Sequence, residues 1–382
     1  MTSGAEAMRG WFVRWAGSVD RINLALLMGL ACVGVLAVMT ATHLVAIHRG
    51  FDELYFFGWH VRVLVPTLAV MVALSFLSPL GVFRLSVGGL AIVMVLMVLT
   101  LATAEPVNGA RRWLNVGGLS LQASELAKPF FAVVTGWLLA RGRNTSFGVL
   151  VRSRPSYLLM PLGLLFALWA LLVAQPDFGM TMIVGIAWCG QLFLAGLRLR
   201  LMLLAALVGA GLVGIAYKTL SHVEDRINQF LYPDGEAGYQ VGKGLEAYGR
   251  GGFLGQGPGE GTIKASIPDA HTDFIFPVIA EEFGVAACFA VLALVAGITF
   301  RGLSRLRGSQ DLFVMLAAGG LLLQFVLQAL VHVAVTLNLA PTTGVTMPFI
   351  STGGSSLLAV GIAMGLMLAL TRRRVVPAGW NR

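Results

Sequence analysis

The chain has 382 residues, of which 57% are hydrophobic and only 12% are charged, and its formal net charge is +9. Soluble domains carry roughly 25% charged residues, so this composition excludes an ordinary soluble protein and predicts an all-α polytopic membrane protein. The three cysteines stand alone within apolar runs, with no CxxC pair and no clustered histidines. We interpret them as small buried hydrophobic residues that say nothing about redox compartment.

A membrane-spanning helix needs about 20 mostly apolar residues. The first apolar run is longer than the core of a signal peptide and lacks an obvious cleavage site, so it is predicted to be an uncleaved span. The ten predicted spans are residues 22–47, 59–78, 86–104, 123–140, 156–174, 179–197, 201–220, 274–299, 312–337 and 352–371.

The distribution of basic residues predicts the orientation. If the N-terminus is cytoplasmic, 17 of the 27 lysines and arginines fall on short loops and termini inside the cell, as the positive-inside rule requires. Both termini are therefore predicted to be cytoplasmic, and the net charge gives no reason to expect a nucleic-acid partner. The predicted organisation is a cytoplasmic or interfacial segment at 1–21, one ten-helix domain at 22–371 and a basic tail at 372–382.

The segment before the fourth span, residues 105–128, is rich in polar residues. Glu125 and Lys128 are three residues apart and share one face of the predicted helix. Two interpretations are open: a lysine that snorkels while paired to its own glutamate, or a pair that faces a cavity inside the helix bundle.

A single long outer loop, residues 221–273, is predicted between spans seven and eight. It contains the glycine-rich run GRGGFLGQGPGEG at 249–261, which is not a dinucleotide fingerprint because no Rossmann unit fits between membrane spans. Its mixed charges predict a folded polar loop of short re-entrant or amphipathic pieces. Loops of this length are usually functional or disordered.

The start of the eighth span carries several ionisable residues. On a continuous helix, Glu281 lies about 12 Å deeper than Asp273 and on a neighbouring face, whereas Glu282 points to the opposite side. Pro277 is expected to kink the span. Asp273 and Lys128 enter the membrane from the same side to similar depths, so they are predicted to form an ion pair at the floor of an outward-open cavity.

Spans nine and ten add further polar groups. Gln324, Gln328 and His332 form an i, i+4, i+8 stripe, which favours hydrogen bonds between helices. The last outer loop, PTTGVTMPFISTGGSS at 341–356, breaks the helical pattern. Irregular backbone at this depth must be buried in protein or line a cavity.

Taken together, these motifs resemble the SEDS family, which includes the FtsW, RodA and SpoVE proteins. The GPGEGTIK form of the loop and the QPDFG junction are more similar to the FtsW branch of alphaproteobacteria than to RodA. The matching stretches run in family order and are GARRWLNVGGLSLQASELAK at 109–128, QPDFG at 175–179, GYQ at 238–240, GGFLGQGPGEG at 251–261, PDAHTDFIF at 268–276, AEEFG at 280–284 and PTTGVTMPFISTGGSS at 341–356.

The resemblance implies a SEDS-type fold and a peptidoglycan glycosyltransferase that polymerises lipid II at the outer face of the cytoplasmic membrane. It also implies a place at the division septum, a class B penicillin-binding protein (an FtsI-like transpeptidase) as partner, and contacts with other divisome membrane proteins. In the family the aspartate of the HTDF motif, here Asp273, is the residue most tied to activity. The lysine of SELAK, here Lys128, is its suspected partner.

The chemistry implied is attack of a sugar hydroxyl on a lipid-pyrophosphate donor, with Asp273 as general base. Lys128 is expected to lower the pKa of Asp273, and Arg111, Arg112, Lys243 or Lys264 to hold the pyrophosphate. No cofactor is certain, but a divalent cation, Mg²⁺ or Mn²⁺, is compatible with Asp273 helped by His271 or Glu281. The other candidate substrate-binding residues are Glu125, Gln256, His271, Thr272, Glu281, Ser355 and Ser356.

Three alternatives stay open. A transporter that flips lipid II would suit ten spans with charges at membrane depth, but the ionisable groups cluster on the outer side and no internal repeat is detected. The RodA-type paralogue of cell elongation is the second alternative. A scaffold that only positions the transpeptidase is the third, and it leaves the burial of Lys128 and Asp273 unexplained.

Overall fold

The structure is a computed structural model, and it describes residues 12–48, 50, 52–106, 110–116, 119–141, 156–233 and 235–373. A helical stretch at 12–18 precedes the first long helix. The further elements are α1 Arg21–His48, α2 Tyr55–Leu74, α3 Pro79–Thr103, β1 Leu114–Val116, β2 Leu119–Leu121, α4 Ala123–Arg141, α5 Ser156–Ala174, α6 Phe178–Leu194, α7 Leu199–Thr219, α8 Ser221–Leu231, α9 Gly235–Gly251, a 3₁₀ turn Ile263–Ser266, α10 Ile275–Leu306, α11 Leu312–Thr336 and α12 Gly354–Leu370.

Each of the ten predicted spans corresponds to one of these helices, namely α1 to α7 and α10 to α12. Within the described residues, six helices are long and apolar enough to cross a membrane, and α5, α6 and α12 contribute shorter apolar helices. The all-α polytopic prediction is confirmed. The boundaries shift by up to seven residues because helix ends depend on local capping, which hydropathy does not register.

The centre of the bundle is formed by α11, which packs against α4, α6, α10 and α12. Small residues allow these helices to approach closely. A β-carbon added to Gly136 of α4 would lie 2.8 Å from the backbone nitrogen of Ala317 on α11. The backbones of α4 and α11 therefore touch, and this contact fixes Lys128 of α4 relative to the glutamines of α11.

The bundle has two distinct ends. The arginine-rich end carries Arg84, Arg141, Arg301 and Arg305, and two of these arginines bind Asp20 at the start of α1 with Nε to Oδ2 distances of 2.8 and 2.7 Å. The loop end carries residues 220–274 and 337–353. In the long loop, α8 and α9 are the amphipathic pieces that its composition predicted.

Helix α10 is interrupted where the sequence predicted continuity. The break falls at Gly284, with φ 79° and ψ 172°, and not at Pro277. Pro277 lies in the first turn of α10, where the missing amide hydrogen has no helical acceptor to lose. Gly284 packs against the backbone of residues 253–255, where a β-carbon would collide with the Phe253 carbonyl oxygen. Residues 275–283 thus form a separate short arm that follows Asp273.

Candidate active site

Asp273 lies in the turn that precedes α10 at the loop end. This turn is joined to the segment 341–353 by two hydrogen bonds. Ser351 Oγ donates to the Thr272 carbonyl oxygen at 2.6 Å, and the Thr352 amide donates to the His271 carbonyl oxygen at 2.8 Å. Thr272 is also tied to Asp269, because its amide and hydroxyl both donate to the Asp269 carbonyl oxygen. Two irregular segments far apart in sequence therefore hold the aspartate in place.

The Asp273 carboxylate is half-buried and lies beside Gly344, where an added β-carbon would sit 3.4 Å from Oδ2. Burial, together with the carboxylates of Asp269 and Glu125, raises the pKa of Asp273 to about 6, while the Arg226 guanidinium opposes this rise. The predicted lowering of this pKa by Lys128 is therefore wrong. Arg226 is the cation that acts on Asp273, and the carboxylate is poised to gain or lose a proton near neutral pH.

Lys128 has other partners than the one predicted. Its Nζ lies 2.8 Å from Glu125 Oε2 and donates to Gln328 Oε1 at 3.0 Å, and the side chains of Lys128 and Glu125 are almost fully buried. Among the described ion pairs Lys128 is joined to Glu125, so the predicted Lys128–Asp273 pair does not form. The pairing within one helix that the i, i+3 spacing allowed is the one observed.

The Lys128 network supports the segment 341–353. Gln328 Nε2 donates to the Thr346 carbonyl oxygen at 3.1 Å and to Ser356 Oγ at 3.3 Å, and His332 Nδ1 lies 2.8 Å from the Val345 carbonyl oxygen. The polar stripe of α11 therefore binds both α4 and this segment, as its spacing predicted. Through these contacts Lys128 acts on the loop that lies against Asp273.

Arginines gather on the same side of the site. Arg112 Nε donates to the Gln175 carbonyl oxygen at 3.2 Å, Nη2 donates to Pro176, and Nη1 lies 4.0 Å from Asp177 Oδ1. Arg226 donates to the Thr342 carbonyl oxygen, next to Gly344. Arg111 points away and donates to the Leu101 carbonyl oxygen at 3.1 Å. Arg112 and Arg226 influence each other electrostatically, so they form one basic cluster near Asp273.

The glycine-rich loop is fastened to α10 by two buried glutamates. Glu281 accepts hydrogen bonds from the amides of Ile263 and Lys264 at 2.7 and 2.9 Å. Glu282 accepts from the amides of Gly259 and Gly261 and from Lys264 Nζ. Glu282, which was predicted to point to the side opposite Asp273, thus binds the glycine-rich loop together with Glu281. The loop covers a wide arc of the arm 275–283, so it meets both side chains although they project 100° apart.

This arrangement also corrects the prediction for Lys264. Its side chain is fully buried and forms an ion pair with Glu282, so it has no open surface on which to hold pyrophosphate. Gln256 belongs to the same loop, and its backbone amide donates to the backbone carbonyl oxygen of Glu281 at 2.9 Å. We name the contacts of Glu281 and Glu282 with residues 256–264 the glutamate latch.

The remaining predicted residues lie at the edges of the site. The His271 ring packs against Phe56 of α2 with 4.8 Å between centroids. Ser355 Oγ accepts a hydrogen bond from the Gln122 amide at 2.8 Å, and Ser356 contacts Thr346. Lys243 Nζ pairs with Glu246 on its own helix at 2.7 Å, so its charge is already balanced.

The chain resembles known proteins over most of its length. A family model described as a cell cycle protein, covering FtsW, RodA and SpoVE, matches residues 20–375. The chain belongs to the FtsW/RodA/SpoVE family. It is 36% identical to the probable peptidoglycan glycosyltransferase FtsW of Caulobacter vibrioides (strain NA1000 / CB15N), over 94% of this chain and 91% of that protein. It is 32% identical to the probable peptidoglycan glycosyltransferase FtsW of Idiomarina loihiensis, over 98% and 94%.

Solved structures share the fold of this FtsW/RodA/SpoVE family member. A chain of a peptidoglycan synthase complex, studied for the structural coordination of polymerization and crosslinking, aligns with a TM-score of 0.75 and 25% identity over 92% of this chain and 97% of that chain. The rod shape determining protein RodA of Thermus thermophilus aligns with a TM-score of 0.68 and 24% identity, over 92% and 96%. This second likeness concerns the fold alone.

Sequence reasoning missed one central residue of this family member's site, Arg226. The signal was present in α8, where Val223 is fully buried and Arg226 follows three residues later on the same face. An arginine on the buried face of an amphipathic helix is a candidate for a functional contact. Asp177 and Gly344 lay within recognised motifs, but their contacts with Arg112 and with Asp273 are visible in the structure alone.

A metal at Asp273 was tested against the residues present. In the part of the chain that the structure describes, no group of three or more His, Cys, Asp and Glu side chains is placed to hold a metal ion. Asp269 and Glu125 act on Asp273 electrostatically, but Arg226 does so with the opposite sign. The described side chains do not form a metal cage, so a divalent cation at this site of the family member stays a prediction.

Proposed function

We propose that this protein is a peptidoglycan glycosyltransferase that polymerises lipid II into glycan strands. The observation that carries the proposal is Asp273. It is a carboxylate with a pKa near 6, held between two fixed segments and beside a basic cluster. A group with such a pKa is suited to accept a proton near neutral pH. The family membership and the names of its relatives supply the reaction class.

In the proposed reaction, the 4-hydroxyl oxygen of an acceptor sugar attacks the anomeric carbon of the donor. The new O–C bond forms as the bond between that carbon and the phosphate oxygen breaks. Asp273 accepts the hydroxyl proton, and the lipid pyrophosphate leaves with the bonding electron pair. Arg226 and Arg112 are the cations best placed to balance its charge, because Arg226 acts on Asp273, Arg112 acts on Arg226, and guanidinium groups bind phosphate oxygens in bidentate geometry.

The cellular setting is part of the proposal. The positive-inside distribution of arginines supports an orientation in which the loop end, and Asp273 with it, faces the outer side of the cytoplasmic membrane. The similarity to FtsW proteins supports a role at the division septum. The similarity to a chain of a peptidoglycan synthase complex supports a class B penicillin-binding protein, an FtsI-like transpeptidase, as the partner, alongside other divisome membrane proteins.

The decisive test is polymerisation of labelled lipid II by the purified full-length protein, supplied with a transpeptidase-inactive partner. Asp273→Asn removes the base at nearly constant size, and we expect a loss of roughly 10²- to 10⁴-fold in rate. Near-normal polymerisation by this variant would overturn the assignment of the base. If the wild-type protein moves lipid II across liposome membranes and makes no glycan, the transporter is the correct function.

The matched control is Asp269→Asn. Asp269 lies four residues earlier in the same turn and has a positive φ of 50°, a conformation that asparagine tolerates well. Because Asp269 only raises the pKa of Asp273, the control variant is expected to polymerise lipid II at neutral pH. Equal losses in both variants would show that the turn, and not the base, had been damaged.

A further inference from the structure

An apolar groove lies at the arginine-rich end, at the opposite end of the bundle from Asp273. It is formed by the beginning of α3, the end of α4 and the first half of α5, and its volume is about 500 Å³. This volume is within the roughly 300–1,000 Å³ typical of small-molecule sites. The described lining residues carry no charged side chain and include Phe83, Trp137, Met160 and Gly163.

The groove is open because of a glycine. Among the described residues, a β-carbon added to Gly163 of α5 would have no heavy atom within 4 Å, so no described neighbouring helix fills the space beside this residue. Met160, one turn earlier, is also largely exposed. On a helix bundle that crosses a membrane, such an apolar surface faces lipid chains, which match its chemistry.

At the mouth of the groove, an arginine guanidinium lies over one of two stacked aromatic rings. The rings of Phe83 and Trp137 are stacked with 4.2 Å between centroids and 20° between planes, and the Arg141 guanidinium lies 4.5 Å from the centroid of the Trp137 ring. Arg84 follows Phe83 directly and is exposed. Tryptophan and arginine side chains at a helix end lie at the level of lipid headgroups.

We propose that this groove binds a phospholipid with an anionic headgroup. One acyl chain lies along the apolar lining, and the phosphate contacts Arg141 and Arg84. The charge at the mouth selects this ligand, because basic pockets between membrane helices attract anionic headgroups. An apolar partner helix would leave these arginines without a counter-charge, and the anionic headgroup of a substrate at Asp273 would lie at the opposite end of the bundle.

The test measures lipid binding to the purified full-length protein by native mass spectrometry. Phosphatidylglycerol and phosphatidylcholine with identical acyl chains are added separately. We expect phosphatidylglycerol to bind roughly five- to thirtyfold more tightly, which is what one or two arginines near a headgroup contribute. Equal binding of the two lipids would overturn the proposal, and so would displacement of phosphatidylglycerol by an equimolar polyprenyl phosphate.

Two variants locate the site. Gly163→Phe fills the groove, and we expect it to lose phosphatidylglycerol binding. Its matched control is Gly211→Phe on α7, where a β-carbon likewise meets nothing within 4 Å and no residue of the helix is buried; this variant is expected to bind as the wild type does. Undiminished binding by Gly163→Phe, with an unchanged melting temperature, would contradict the assignment.

The headgroup contact is tested separately with Arg141→Gln. This variant keeps the apolar lining, so it is expected to retain phospholipid binding but to lose most of the preference for phosphatidylglycerol over phosphatidylcholine. An unchanged preference would remove Arg141 from the site. All the variants are read by lipid binding, so their outcome does not depend on the proposed polymerase activity.

Discussion

The loop end of this protein contains two groups of charged side chains, which differ in how completely their charges are balanced. In the glutamate latch each charged side chain has a partner: Lys264 forms an ion pair with Glu282, and backbone amides donate hydrogen bonds to the carboxylate oxygens of both glutamates. At Asp273 the charge is only partly balanced: burial, Asp269 and Glu125 raise its pKa, and among the described residues Arg226 opposes this rise.

The difference separates a structural role from a chemical one. A buried charge with a full set of partners fixes one conformation, and the latch accordingly holds residues 256–264 against the arm that follows Asp273. A carboxylate whose charge is only partly balanced costs stability but can exchange a proton. Mutations in the two groups are therefore expected to differ in their effects on stability and on activity.

The largest expected effect is that of Glu282→Gln on stability. It leaves the fully buried Lys264 ammonium without its counter-ion, which typically costs about 3–5 kcal/mol. Thermal unfolding of the purified protein should show a clearly lowered melting temperature. Adding Lys264→Met to this variant should recover part of the loss, because the unpaired charge is then removed. An unchanged melting temperature in Glu282→Gln would show that the glutamate latch does not have the structural role assigned to it.

Arg226→Gln is expected to lower kcat/KM for lipid II polymerisation by roughly 10- to 100-fold, the value of a hydrogen bond to a charged group. The matched control is Lys243→Gln, because Lys243 is already paired with Glu246; its kcat/KM should stay within about twofold, as for other exposed ion pairs. Comparable losses in both variants would mean that basic charge anywhere on the loop end is sufficient.

Asp273→Asn is expected to stabilise the protein while it removes activity. The folded-state pKa of about 6 exceeds the ordinary value of 3.8, so ionisation of this group is disfavoured in the folded state. The resulting cost is absent below pH 3.8, grows up to pH 6 and is complete above it. At pH 7.5 the asparagine should add about 1–2 kcal/mol after allowance for solvent screening.

The same variant provides its own control through pH. Melting temperatures of Asp273→Asn and wild type should converge as the pH is lowered below 4, where the wild-type carboxyl is also neutral. A lower melting temperature for Asp273→Asn at pH 7.5 would place Asp273 with the structural charges of the latch.

The smallest expected effect is a shift in the pH profile. Because the base must be ionised, kcat/KM should fall about tenfold for each pH unit below about 6. In Asp269→Asn the fall should begin at a lower pH, since one of the carboxylates that raises the pKa of Asp273 is gone. Initial rates between pH 4.5 and 8 test both statements. Identical pH profiles for Asp269→Asn and the wild type would show that Asp269 does not raise the pKa of Asp273.

Short sequence patterns were sufficient to predict the ten spans, the amphipathic pieces of the long loop and the polar stripe of α11, and a motif singled out Asp273 as the candidate base. These features depend on hydropathy, on helical periodicity and on motifs, all of which are properties of short segments. The Glu125–Lys128 pair was also within reach, because an i, i+3 spacing brings the two side chains together on any helix.

Which charged and polar side chains contact one another depends on how distant segments pack. Lys128 meets Gln328, Lys264 meets Glu282, and Arg226 acts on Asp273, and each pair is separated by many residues. The predicted facings of Glu281 and Glu282 assumed one continuous helix from Asp273, whereas α10 begins at Ile275 and breaks at Gly284. Helical periodicity gives the angle between two side chains, but it does not say which segment packs against them.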